Sequence, residues 1–159
     1  MLISTAEAQG KRFIYRTGAA FVSTRLGIHS KPPISAAELN MPANRETGGL
    51  IIAGSYVPKT TTQLDALISQ RGDKLSVVEV NVEELITSPE KADTVVQQVI
   101  KETESHLQSG KDTLVMTSRK LITGKDGISS LDIGSKVAEV LVKILQKIEV
   151  RPRYIIAKV

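Results

Sequence analysis

The chain has 159 residues, enough for one domain with a single buried core. It holds no cysteine and no tryptophan, which excludes disulfides, zinc–thiolate and iron–sulfur sites, thiol nucleophiles and tryptophan cages. The net charge of +4 comes from scattered lysines and arginines; it suits an anionic ligand or plain solubility, and without a dense basic run no nucleic-acid partner is expected.

The first element is expected over residues 11–27. Phe13, Ile14, Gly18, Phe21, Val22 and Leu26 recur at helical spacing, with Gly27 as the stop. HSKPPISAAELNMPANRETGG carries three prolines and no sustained period, so it reads as a connector. The expected division is an N-terminal arm and connector over 1–47 and an α/β body over 48–159.

Within the body, Leu50–Ala53 is a short continuous apolar run, as in a strand covered on both faces. Thr60–Arg71 follows as a helix, with Thr60 and Gln63 at capping-box spacing, a Leu64, Leu67, Ile68 stripe and Gly72 as the stop. SVVEVNV, residues 76–82, is the second strand. Ser88-Pro89-Glu90 then opens a helix carrying Ala92, Val95, Val96, Val99, Ile100 and Leu107 and ending at Gly110. TLVM, residues 113–116, is the third strand. Ser129 or Ser130 caps a long amphipathic helix with Ile133, Val137, Val140, Leu141, Ile144, Leu145 and Ile148 on one face. Pro152 ends it, and residues 153–157 form a fourth strand.

Strand and helix in alternation imply an α/β fold in three layers. A mostly parallel sheet of about four or more strands carries helices on both faces, preceded by the N-terminal helix and the Pro-rich connector. Ligands of such sheets bind outside the carboxyl ends of the strands. Those ends are Gly54-Ser55, Asn81, Thr117-Ser118-Arg119 and Lys158-Val159, an edge rich in hydroxyl and cationic donors.

Gly54 lets a ligand approach the backbone and Ser55 offers a hydroxyl, while Thr60, Thr61 and Thr62 lie at a helix N-terminus that favours negative charge. The same residues also serve as an ordinary turn and helix cap. Arg119 suits phosphate by its planar fork, or a surface ion pair. The glycine-rich segment Thr123-Gly124-Lys125-Asp126-Gly127 is either a ligand cover or a turn. Neither GxxxxGK[ST] nor GxGxxG occurs. Asp112, Asp126 and Asp132 do not pair at metal-site spacing, and His29 and His106 lie far apart. A magnesium ion would be held mostly by water and nucleotide phosphates. No apolar run approaches the ~20 residues of a membrane helix, and the N-terminal one is too short for a signal peptide, so a soluble cytoplasmic protein is expected.

YRTGAAFVSTRLGI, KPPIS, GGLIIAGSYVPKTTTQL, TLVMTSRKLITG, SLDIGSKVAEVLVKIL and RPRYIIAKV occur in this order. Together they resemble the C-terminal, nucleotide-binding region of the four-carbon acid sugar kinase family. The resemblance implies ATP binding with Mg²⁺ in a kinase for a threonate- or erythronate-type acid. It places nucleotide contacts at Ser55 and Gly54, with Thr117, Ser118 and Arg119 in a family motif on the same edge. It also implies that the substrate is held by a separate N-terminal domain and that further nucleotide-binding sequence follows the last strand. The expected chain is therefore a part, inactive alone. The alternative is a non-catalytic α/β module without nucleotide affinity, forming homo-oligomers through an open sheet edge or the N-terminal helix.

Overall fold

A computed structural model describes residues 2–35, 37–39, 46–120, 122 and 127–158, with the backbone alone at 127–129. The chain divides into two units, Met1–Asn40 and Met41–Val159.

The first unit contains two short helices, α1 (Leu2–Ala8) and α2 (Ala19–Arg25). The helix expected over 11–27 is thus shortened to its C-terminal third, and α1 was not anticipated. Gly18 explains the shortening. It adopts an extended conformation as the N-cap of α2, because an interior glycine costs a helix about 1 kcal/mol. Phe13, Tyr15 and Phe21 instead stack, with ring centroids 6.1 and 5.4 Å apart. Arg25 ties the two helices by donating to Ser4 Oγ at 3.0 Å and pairing with Glu7. None of the described side chains of this unit is buried.

In the second unit four parallel strands, β1 (Leu50–Ala53), β2 (Leu75–Val80), β3 (Asp112–Thr117) and β4 (Ile155–Lys158), lie in the order β2-β3-β1-β4. Leu50 aligns with Thr113 on one side and Ile155 on the other, and Leu75 aligns with Asp112. The helices are α3 (Pro58–Arg71), α4 (Val82–Thr87), α5 (Pro89–Gln108) and α6 (Gly127–Lys147).

The alternation of side chains along β1 shows why the sheet has two covered faces. Leu50 and Ile52 pack with Val95, Val96, Val99 and Ile100 of α5 and Ile144 of α6. Ile51 and Ala53 pack with Leu64, Leu67 and Ile68 of α3. The result is the expected three-layer α/β fold. Truncating a fully buried core side chain such as Leu114 would cost about 2–5 kcal/mol.

Several boundaries differ from expectation for local reasons. α3 begins at Pro58, two residues early, because proline is pre-set for the first helical turn. The Thr60–Gln63 capping box does not form; Val57 is the N-cap and no side chain caps it. β2 stops at Val80, since Asn81 accepts hydrogen bonds from the amides of Glu83 and Glu84 and opens α4, which the sequence reading missed. Ser88 does cap α5, accepting from Lys91 N. Ser129 and Ser130 lie inside α6 rather than capping it. The segment 123–126, with Asp126, and Val159 lie outside the described residues.

Candidate functional site

From β1 the chain crosses to β2, two places away in one direction; from β3 it crosses to β4, two places away in the other. The helices after these adjacent strands therefore leave on opposite faces, α3 on one and α6 on the other. The carboxyl ends of β1 and β3 are thus the switch point of the sheet, where α/β folds place a crevice for their ligands.

On the β1 side the crevice is lined by Gly54, Ser55 and Tyr56. Ser55 is half-buried and its Oγ accepts a hydrogen bond from Thr60 Oγ1 at 3.3 Å. Thr60 is only 1% exposed, so its hydroxyl serves this internal contact. With one of its two lone pairs taken by Thr60, the half-buried Ser55 hydroxyl keeps its own proton to donate. Thr61 is half-buried at the start of α3 and its amide bonds Val57 O at 3.3 Å. At Gly54 a Cβ would lie 2.8 Å from Leu141 Cδ1, the tip of a side chain of α6.

On the β3 side, Thr117 is fully buried and its hydroxyl reaches Gly54 O at 3.5 Å. Ser118 Oγ accepts from Val82 N at 3.3 Å, fixing the start of α4. Arg119 spans the crevice. Its Nη1 donates to Ser55 O at 2.7 Å, Nε to Thr117 O at 3.0 Å and Nη2 to Thr117 Oγ1 at 2.7 Å. Its guanidinium carbon lies 5.7 Å from the centre of the Tyr56 ring. Burial raises the Tyr56 phenol above its ordinary pKa, opposed by its hydrogen bond with Thr117 and by the Arg119 charge.

The structure thus brings Gly54, Ser55, Thr60, Thr117, Ser118 and Arg119 to one crevice. It turns Thr60 and Thr117 inward, leaving Ser55, Thr61 and Ser118 partly exposed. Tyr56 is the lining residue that sequence reading passed over; its place beside Ser55 in the strand-to-helix loop was the available signal. No carboxylate pairs with Arg119 among the described residues, so its charge is uncompensated there. The described residues contain no group of three or more His, Cys, Asp or Glu able to hold a metal. The donor set of hydroxyls and one guanidinium suits an anionic ligand.

The opposite edge of the sheet is built around Asp112. Its Oδ1 accepts from Gly49 N at 2.9 Å, and its Oδ2 pairs with Arg71 Nη2 at 3.3 Å. Arg153 Nη2 lies 4.0 Å away. Tyr154 lies over Gly49, where a Cβ would come within 2.1 Å of Tyr154 Cζ. A cleft of about 310 Å³ there is lined by Arg71, Lys74, Lys111, Arg153, Asp73 and Asp112.

No helix among the described residues is long and apolar enough to cross a membrane. No curated protein and no solved structure matched the chain. A family model described as the nucleotide-binding C-terminal domain matches residues 50–157, a span that includes all of β1, β2 and β3 and most of β4. The crevice and this match agree, and the chain belongs to the family of nucleotide-binding C-terminal domains.

Proposed function

We propose that the crevice between β1 and β3 binds ATP, and that the chain is the nucleotide-binding part of a cytoplasmic kinase phosphorylating a small four-carbon sugar acid of threonate or erythronate type. The observation that carries the ATP reading is Arg119, without an acid partner among the described residues, beside the half-buried hydroxyl of Ser55 at the switch point of the sheet. The sugar-acid assignment rests on the sequence resemblance. Gly54, Ser55, Thr61 and Ser118 line the nucleotide, with Thr60, Thr117 and Arg119 supporting them.

The residues fit a nucleotide better than a bare metal ion, because their donors are hydroxyls and a guanidinium. Mg²⁺ would enter with the phosphates and neutralise part of their charge. The chain's own contribution is positional: Ser55 donates to a phosphate oxygen, Thr60 holds Ser55 in that role, and Arg119 adds positive potential. Such positioning and charge stabilisation account for most phosphoryl-transfer catalysis. The acid and the base that deprotonates its hydroxyl belong, on this reading, to a separate substrate domain. The chain alone therefore binds nucleotide without turnover.

Calorimetric titration with Mg-ATP and Mg-ADP tests this reading. Saturable binding, weakened roughly tenfold by Ser55→Ala, is the expected result for loss of one hydrogen bond to a charged group. Absence of heat at millimolar nucleotide would refute it.

A second reading is favoured by β4. All four of its residues are exposed, with Ile155 and Ile156 each about half accessible. Beside it an apolar groove of about 220 Å³ is lined by Ile52, Leu141, Val142, Leu145, Ile155 and Ala157. An open edge with the composition of a central strand invites a further strand, and pairing with a second copy would make the chain an oligomerisation module. Sedimentation velocity on the wild type and Ile156→Lys distinguishes this: a dimer lost in the variant supports it, and a monomer in both excludes it.

A further inference from the structure

Arginine at a phosphate site ordinarily turns its fork outward, yet Arg119 turns its fork inward. Three of its five N–H groups, one each on Nε, Nη1 and Nη2, donate to this chain's own oxygens, two main-chain carbonyls and one buried hydroxyl, at 3.0, 2.7 and 2.7 Å. The acceptors stand on both sides of the crevice. Thr117 belongs to β3, and Ser55 lies in the loop that follows β1. These are separate strand ends joined by no backbone hydrogen bond beyond Ala53, whose register partner is Met116. The Tyr56 ring lies against the guanidinium, so the next loop residue is held as well.

The loop has little else to fix it. Thr60 Oγ1 reaches Ser55 Oγ at 3.3 Å and Thr117 Oγ1 reaches Gly54 O at 3.5 Å, both long contacts, while Gly54 N bonds Lys158 O at 3.0 Å and the Tyr56 phenol bonds Thr117. The short, charge-assisted bond from Arg119 to Ser55 O is the strongest of these restraints by geometry.

We propose that Arg119 is a positioning residue: it latches the Gly54–Val57 loop to the end of β3 and thereby sets the direction of the Ser55 hydroxyl, without itself grasping phosphate. The inference rests on the nucleotide reading above for its consequence, although the latch is a property of the loop and can be measured without ligand. Lysine cannot replace arginine in this role, because a single ammonium cannot reach three acceptors arranged as a fork.

The experiment compares wild type, Arg119→Lys, Arg119→Gln, Ser55→Ala and the double variant Ser55→Ala/Arg119→Gln. The first readout is amide hydrogen exchange without nucleotide. Both Arg119 variants should exchange roughly tenfold or more faster at residues 54–57, with β2 and α5 unchanged. Wild-type exchange at 54–57 in both variants would overturn the latch. The second readout is affinity for ATP and AMP. Lys and Gln should weaken both nucleotides by the same factor, roughly tenfold, and the double variant should bind no worse than Ser55→Ala. Retained ATP affinity in Arg119→Lys, or additive losses in the double variant, would overturn the positioning role and make Arg119 a direct ligand. If the wild type binds no nucleotide, the nucleotide reading fails by itself and exchange still decides the latch.

Discussion

The two edges of this sheet are built from similar parts and finished differently. At the amino edge, the Asp112 carboxylate accepts from Gly49 N and pairs with Arg71 and, at 4.0 Å, with Arg153, whose buried Nε has no hydrogen-bond partner among the described residues. At the carboxyl edge, Arg119 bonds only carbonyl and hydroxyl oxygens, and its charge finds no acid among the described residues. The amino edge sets a carboxylate against its guanidinium groups, whereas at the carboxyl edge Arg119 stands without an acid among the described residues. The difference teaches where an anion is welcome: a cation already paired at close range offers little to a ligand, whereas one without an acid partner, held beside a hydroxyl that can still donate, offers a good deal.

The sharpest way to break the amino edge is Gly48→Ala. A Cβ at Gly48 would lie 1.7 Å from Lys111 O, a backbone atom that cannot step aside. The expected loss exceeds about 4 kcal/mol, or folding fails outright, as read by urea unfolding. Asp112→Ala comes next. It strands Gly49 N and removes the acid beside Arg71 and Arg153, and should cost about 1–3 kcal/mol, while a titration shows nucleotide affinity unchanged. A parallel loss of affinity would erase the distinction between the edges.

Ser55→Ala should do the reverse. Stability should move by less than about 1 kcal/mol, because the Thr60 contact is long, while nucleotide affinity falls roughly tenfold. The smallest effect is alkaline. Burial, reinforced by the Asp112 charge, raises the Tyr154 phenol above its ordinary value. A raised folded-state pKa contributes stability that is fully present below the unfolded value and lost as pH rises through the folded one. The wild type should therefore lose more stability than Tyr154→Phe between about pH 9 and about pH 11 in urea melts. Parallel curves would show that the phenol is not coupled to the Asp112 network.

Much of the fold was legible because burial on both faces writes itself into strands as unbroken apolar runs. LIIA, the VV pair of the second strand and TLVM needed no context, and neither did the stripes of α5 and α6. The carboxyl-edge rule then brought Ser55 and residues 117–119 together from the order of elements alone. What stayed hidden depended on competition between local signals. Pro58 overrode the Thr60 cap, Asn81 converted the tail of an expected strand into α4, and Gly18 cut the expected helix short.

The direction of side chains was the other hidden quantity. Arg119 invites a reading as a phosphate ligand, yet its partner is a carbonyl 64 positions earlier in the chain. Asp112 could be placed on the far edge, but its neighbours Arg71 and Arg153 arrive there only through the packing of α3 and β4. Periodicity reports which face a residue takes. It carries no information on which distant backbone oxygen a long side chain will reach.

The most direct test of the comparison is a residue-resolved NMR titration of the chain with Mg-ATP. The expected result is saturable shifts in the amides of residues 54–61 and 117–120, with Gly48, Gly49, Asp112 and Arg153 unmoved. Shifts centred on the Asp112 edge, or none at millimolar nucleotide, would contradict the assignment of the open carboxyl edge as the nucleotide site.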